Sequence, residues 1–218
     1  MYSFYPEPAP PGAFEIVSRI MPDDFRVVHA GSIGLLEPDV HAQALALFER
    51  GGTCTIDPNV RPSLVDDPEG FRKRVEHLIS HSTIAKLSRE NLDFLAPSET
   101  EEQAVARYLD RGCGTVVVTA AGDGVRAYGT WGEASAPVSG LPVLDTTGGG
   151  DATMAALLAV VARGLLPGDR AEWERALVFA MAVAGLSCAR PGGASAMPTV
   201  QEVEDVVPWD RPERLLRR

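Results

Sequence analysis

The chain has 218 residues, of which 45% are hydrophobic and 23% charged, as is ordinary for one soluble globular domain. Its formal net charge of −10 argues against nucleic acid or an anionic membrane as the main partner. There is no apolar run of about 18 residues and no secretion signal at the first residues, so we expect a cytoplasmic protein without a membrane partner. The scattered cysteines Cys54, Cys113 and Cys188 indicate small buried side chains, not a disulfide framework or a zinc site.

Hydrophobic patterning predicts strands that alternate with helices. The predicted strands cover residues 25–29, 53–57, 83–86, 115–119 and 124–128, and the predicted helices cover 39–50, 68–82, 99–111, 152–163 and 172–189. This alternation is typical of a mostly parallel sheet with helices on both faces, a three-layer α/β/α architecture. We expect one domain over residues 1–218.

Polar residues follow several of the predicted strands. They are Gly31 and Ser32, the segment 57–61, Lys86 with Ser88, and Thr119. Open α/β sheets bind ligands beyond the carboxyl ends of their strands, so we expect the functional site at this edge.

The segment 145–151 reads Asp-Thr-Thr-Gly-Gly-Gly-Asp and directly precedes an apolar helix. Glycines at a helix start let backbone N–H groups converge on an anion, and the helix dipole favours negative charge there. Asp151 stands beside them and can take a proton from a hydroxyl group, which is the equipment of phosphoryl transfer to an alcohol. The alternative is that Asp151 only caps the helix, since Asp is a preferred N-cap residue.

This segment resembles the D-T-T-G-A-G-D motif of the ribokinase-like (PfkB) sugar kinases, with Gly149 in place of Ala. The resemblance implies a ribokinase-like fold and ATP-dependent phosphorylation of a sugar, with Mg²⁺ bridging the phosphates. It implies that Asp151 is the base and that Gly148, Gly149 and Gly150 form the anion hole. Asp145 and Thr146 would lie on the nucleotide side, and no residue is assigned directly to the metal.

The segment 57–62, Asp-Pro-Asn-Val-Arg-Pro, resembles a segment of the family's fructokinases and 2-keto-3-deoxygluconate kinases. Asn59 is expected to bond a sugar hydroxyl, and Arg61 to hold a phosphate or a substrate oxygen. A purely structural turn is the alternative, because Asp-Pro-Asn is common in turns.

Three further resemblances lie along the nucleotide side. Lys86 and Ser88 match the family's K-x-[NS]-x-x-E element, although Asn91 stands where the family has an acidic residue. Thr119 and Gly124 match a turn near the nucleotide. Gly193 lies in a late loop that in the family adjoins the adenine and, in some members, a monovalent cation such as K⁺. The alternatives are a Ser88 helix cap, a plain hairpin turn at Gly124 and a helix-ending loop at Gly193.

His77 and His81 have the i, i+4 spacing of a zinc pair on a predicted helix, but neither an H-E-x-x-H pattern nor a third ligand is evident. We expect them to be exposed helix residues. His29 and His41 carry no functional signal in the sequence.

The resemblance begins partway into the family, so the expected domain is truncated at the N-terminus and has no lid. About a third of a typical member is absent, including the sugar-binding Gly-Gly element. An unpaired sheet edge would favour a homo-oligomer. Two functions remain open: a fructokinase-like enzyme for which sugar and ATP are the small-molecule partners, or a non-catalytic nucleotide-binding relative with a regulatory role.

Overall fold

The computed structural model describes residues 25–207. Its centre is a six-stranded sheet in the order β1-β2-β3-β4-β5-β6, in which β1 to β4 run parallel and β5 and β6 are antiparallel. The strands are β1 (Val27–Gly31), β2 (Thr53–Asp57), β3 (Ile84–Ser88), β4 (Thr115–Thr119), β5 (Val125–Gly129) and β6 (Gly132–Ala136). The helices are α1 (Pro38–Phe48), α2 (Pro68–Ser80), α3 (Arg89–Leu95), α4 (Glu101–Asp110), α5 (Gly149–Val161), α6 (Arg170–Cys188) and α7 (Val200–Val206).

Two hydrophobic cores cover the two faces of the sheet. One contains Phe48, Phe71 and Tyr108 from α1, α2 and α4. The other lies under α5 and α6, where Trp173 is fully buried and stacks on Trp131 with 5.6 Å between ring centroids. The predicted three-layer α/β/α architecture is therefore confirmed.

The predicted element boundaries hold at the sheet centre and shift near the strand ends. β2 and β4 match the prediction, whereas β3 runs two residues further, to Ser88. β1 ends at Gly31 because its pairing with β2 continues to Asp57. A Cβ on Gly31 would lie 2.3 Å from the carbonyl oxygen of Asp57, so only glycine fits this close approach.

The sequence patterns did not predict β6 and α7. The buried positions of β6 are Ala134 and Ala136, whose small side chains give a weak alternation. α7 begins with a capping box of Thr199 and Glu202, which is a sequence pattern typical of a helix start. The helix that follows has only seven residues.

Within residues 25–207, no helix is both long and apolar enough to cross a membrane. Cys54 and Cys113 are buried, Cys188 is half-buried, and all three are free thiols. Burial raises the pKa of Cys113 to about 12, which keeps this thiol protonated at neutral pH. Cys54 and Cys113 are thus the small buried side chains that were predicted, whereas Cys188 is only partly buried.

Candidate active site

A cavity of about 370 Å³ opens at the carboxyl ends of β1 and β2, beside the start of α5. Its lining residues come from these three elements and the loops that follow the two strands: His29, Gly31, Ser32, Asp57, Asn59, Asp151, Met154, Ala155 and Leu158. Both the predicted base Asp151 and the predicted sugar ligand Asn59 line it. The cavity lies at the sheet edge where α/β proteins bind ligands.

Asp151 lies in the first turn of α5 with an exposed side chain. The N-cap is Gly148, which has the left-handed φ of 79°, and no side chain caps this helix end. The helix therefore begins at Gly149, three residues earlier than predicted, and Asp151 is not its cap. First-turn N–H groups have no intrahelical acceptor, so the amides of Gly150 and Asp151 lie at the helix end where the dipole favours negative charge.

Asp145 connects the turn of residues 145–150, here called the glycine turn, to the loop around Gly192 and Gly193, here called the late loop. Its Oδ1 accepts the N–H of Thr147 at 2.9 Å, and its Oδ2 accepts the N–H of Gly192 at 3.2 Å. These hydrogen bonds lower the pKa of Asp145, and those from Thr147 have the largest effect. The carbonyl of Thr146 accepts the N–H of Gly149 at 3.2 Å, so the Gly149 amide is used within the turn.

Gly193 lies against the same turn. A Cβ on Gly148 would lie 3.1 Å from the Cα of Gly193, so the two backbones are in close contact. Gly193 itself has a φ of 52° and is buried, and the preceding Gly192 carbonyl accepts bonds from both the N–H and the hydroxyl of Ser195. The turn and the late loop therefore form one packed unit.

A buried ion pair lies behind the glycine turn. Lys86 Nζ is 2.6 Å from Asp57 Oδ2, and the exposed fractions of the two side chains are 4% and 5%. The same ammonium lies 3.5 Å from the Gly150 carbonyl oxygen. A Cβ on Gly150 would lie 3.1 Å from Lys86 Nζ. Lys86 thus connects β2, β3 and the start of α5, and its ammonium points at protein groups.

The second oxygen of Asp57, Oδ1, is buried and has no hydrogen-bond partner among residues 25–207. Asp57 also lines the cavity, so one of the residues of the cavity wall carries an unsatisfied buried acceptor.

Two residues of the cavity wall have strained backbones. Ser32 has a φ of 61° and Asn59 a φ of 42°, and each follows a parallel strand. Non-glycine residues in this conformation concentrate at functional sites. The Arg61 guanidinium folds back over the turn and donates to Asn59 Oδ1 at 2.6 Å. The amide nitrogen of Asn59 therefore points away from Arg61.

The remaining predicted nucleotide residues have local structural partners. Ser88 forms a capping box with Asn91, whose side chain is buried, so the helix-cap alternative is observed. Thr119 donates to the Leu87 carbonyl at 3.4 Å. Gly124, with a φ of 88°, belongs to the β4–β5 hairpin turn, and a Cβ there would lie 2.3 Å from the Ala136 carbonyl. Nucleotide contacts by Ser88, Thr119 and Gly124 stay predictions.

His29 is a cavity residue that the sequence analysis missed. Its Nδ1 lies 2.9 Å from Thr55 Oγ1, and burial, partly offset by the charge of Asp57, lowers its pKa. The usable signal was its position, because it lies two residues before Gly31 on the same strand face.

Comparison with known proteins identifies the family and the fold of this chain. The family model for pfkB family carbohydrate kinases matches residues 23–200. Fructokinase-1 of Oryza sativa is 31% identical over 81% of this chain and 57% of its own length, and fructokinase-2 of Zea mays is 30% identical over 84% of this chain and 56% of its own length. The chain spans about half the length of these curated relatives.

A crystal structure of fructokinase with bound ATP from Xylella fastidiosa superimposes with a TM-score of 0.79 at 27% identity, covering 94% of this chain and 68% of that one. It confirms the ribokinase-like fold and shows that the chain corresponds to only part of it. On the family match over most of its length, the chain belongs to the PfkB family of carbohydrate kinases.

Proposed function

We propose that this chain transfers the terminal phosphoryl group of ATP to a primary hydroxyl of a sugar, as a fructokinase does. The observation that carries the proposal is the position of Asp151. This carboxylate shares one cavity with Asn59 and lies in the first turn of α5, where the helix dipole favours an anion. A base and an anion site side by side are what phosphoryl transfer to an alcohol needs.

In this mechanism Asp151 takes the proton from the sugar hydroxyl as its oxygen attacks the phosphorus. The bond from phosphorus to the leaving ADP oxygen breaks, and the proton stays on the carboxyl of Asp151. The first-turn amides of Gly150 and Asp151 hold the charge that spreads over the transferring group. Gly148 and Gly149 shape the turn, since the Gly149 amide is bonded to Thr146.

The neighbouring residues hold this arrangement in place. Asp145 fixes the turn against the late loop, and Lys86 fixes it against β2. With its Oδ1 held by Arg61, Asn59 presents its amide nitrogen as the donor to a sugar oxygen. Arg61 acts in this proposal by orienting Asn59.

The donor atoms of the cavity suit a hard cation such as Mg²⁺, which prefers oxygen ligands. Among residues 25–207, Asp57 Oδ1 is an oxygen without a hydrogen-bond partner, and Asp57 would therefore be the first candidate ligand. Asp145 is less suited, because both its oxygens already accept backbone amides. Bound together with ATP, Mg²⁺ would neutralise phosphate charge. The K⁺ near Gly193, a homo-oligomer and a cytoplasmic location stay predictions from the sequence.

A non-catalytic nucleotide-binding protein is the second candidate. Asn91 favours it, because this residue is uncharged and buried in a helix cap where the family has an acidic residue. Asp151 argues against it, since its carboxylate is exposed in the cavity and caps nothing.

The test is phosphoryl transfer by the full 218-residue chain with Mg-ATP and fructose, alongside 2-keto-3-deoxygluconate, aminoimidazole riboside and ribose. The phosphorylated product is identified by phosphorus NMR, and ATP binding is measured separately by calorimetry. We expect a phosphorylated primary hydroxyl, with fructose as the best substrate. ATP binding without any transfer would overturn the proposal in favour of the second candidate.

A further inference from the structure

A second cluster of ligand-type side chains lies away from the active site. Glu49 follows the last residue of α1, and His77 and His81 lie at the last turn and the end of α2. Each offers a ligand atom within 4.8 Å of those of the other two, and all three residues are exposed. Both helices run back to the start of the next strand, so the cluster lies at the sheet edge opposite to the carboxyl ends and the cavity.

The hydrogen bonds of His81 prepare it for a metal ion. Its Nδ1 lies 2.9 Å from the carbonyl oxygen of His77, and a carbonyl can only accept. The Ser80 hydroxyl also lies 3.1 Å from Nδ1 but donates to the same His77 carbonyl, so both contacts assign the proton of neutral His81 to Nδ1 and leave the lone pair on Nε2. Metal-binding histidines characteristically donate their other ring nitrogen to a carbonyl or carboxylate in this way.

The backbone also favours a cation at this place. α1 ends at Phe48 and α2 ends at Ser80, and a helix carries partial negative charge at its C-terminus. Packing holds the two helix ends together, because Phe48 and Leu78 belong to one core and His41 Nε2 is bonded to the Arg74 carbonyl at 2.8 Å. The three side chains are therefore attached to one rigid support.

We propose that Glu49, His77 and His81 bind a divalent transition-metal ion of the zinc class. Imidazole and carboxylate are ligands that suit Zn²⁺, whereas Mg²⁺ prefers oxygen alone. Around a tetrahedral Zn²⁺ at about 2.0–2.1 Å the ligand atoms lie about 3.4 Å apart, which rotation of these exposed side chains reaches. Water completes the coordination, so the site is open to a further ligand.

The test is calorimetric titration of the full chain with Zn²⁺ in excess Mg²⁺, which occupies oxygen-rich sites at the cavity. We expect one Zn²⁺ per chain, and binding weakened about tenfold or more in His77→Ala and in His81→Ala. Glu49→Gln should also weaken binding. Glu69→Gln removes another exposed carboxylate, at the other end of α2, and should leave the affinity unchanged.

Circular dichroism of each variant checks that the helices are intact, as expected for exposed positions. Wild-type chain that takes up no Zn²⁺ in a saturable way would overturn the proposal. So would Zn²⁺ binding of wild-type strength in either histidine variant, because the ion would then be held elsewhere, for example by Cys188. Wild-type affinity in Glu49→Gln would overturn the three-ligand site.

Discussion

The ammonium of Lys86 lies 2.6 Å from Oδ2 of Asp57, and both side chains are almost completely buried beneath the glycine turn. Charges removed from water in this way depend on each other, because either one alone would be buried without compensation. The pair therefore links the stability of the sheet to the position of the proposed anion site.

We expect Lys86→Met to lower the free energy of unfolding by about 3–5 kcal/mol, since it leaves the Asp57 carboxylate unpaired. Adding Asp57→Asn should recover part of this loss, so that the double variant is more stable than the sum of the single changes predicts. Urea unfolding measures each value. Lys73→Met breaks the exposed pair with Glu69 and is the control, with no measurable change expected. Strictly additive effects at Lys86 and Asp57 would contradict a coupled pair.

Gly149 and Cys188 are in close contact, so the size of one side chain limits that of the other. A Cβ on residue 149 would lie 2.9 Å from Cys188 Sγ, which accounts for glycine where the family motif has alanine. In the middle of a helix alanine is favoured over glycine by about 0.5–1 kcal/mol, which is an upper limit for residue 149 at the first helical position. We expect Gly149→Ala to stabilise the chain by at most this amount in a Cys188→Ala background, and to give no gain in the wild type. Thermal or urea unfolding measures the change in stability. An equal gain in both backgrounds would contradict a steric conflict between residue 149 and Cys188.

Gly148 and Gly164 have nearly the same left-handed backbone, with φ of 79° and 76°, but different surroundings. An alanine Cβ at 148 would meet the Cα of Gly193 at 3.1 Å, whereas nothing lies within 4 Å of one at 164. The backbone strain alone costs about 1–2 kcal/mol. We expect Gly164→Ala to lose only that and keep its phosphoryl transfer, and Gly148→Ala to lose more stability as well as activity. Urea unfolding measures the stability of both variants. Equal losses would contradict the expectation, because they would mean that the backbone at Gly193 moves aside without cost.

His41 should make stability depend on pH. It is buried, and burial lowers its pKa, although the bond to the Arg74 carbonyl acts in the other direction. The unfolded chain then binds a proton at pH values where the folded chain does not, so the free energy of unfolding falls as pH drops through about 6.5. The same direction holds for His29. In His41→Gln we expect a smaller fall between about pH 7.5 and 5.5. An unchanged pH profile would exclude His41 as its source.

The sheet centre could be predicted from the sequence because continuous apolar runs such as 115–119 allow one interpretation. β6 escaped prediction because alanine at its buried positions carries little hydrophobic signal. The start of α5 was placed three residues late, since glycines at 149 and 150 indicate a turn by composition although the backbone there is already helical.

The site was partly predictable for a similar reason. Polar residues after the second predicted strand located Asn59, the glycine-rich segment before an apolar helix located Asp151, and the structure brings both to one cavity. The partners of Lys86 were hidden, because its ion pair with Asp57 and its approach to Gly150 depend on contacts between residues far apart in the chain. His77 and His81 lacked a third ligand in the sequence, since Glu49 reaches them only through the packing of α1 on α2.

Asp151 is the proposed base of a sugar kinase. This role is tested most directly by comparing phosphoryl transfer from Mg-ATP to fructose in the wild-type chain, Asp151→Asn and Asp110→Asn, the last a control carboxylate exposed at the end of α4. General-base catalysis contributes about 10²–10⁴-fold, so we predict a loss of kcat in this range for Asp151→Asn, with ATP binding retained, and a wild-type rate for Asp110→Asn. A folded Asp151→Asn chain that keeps the wild-type rate would contradict the account.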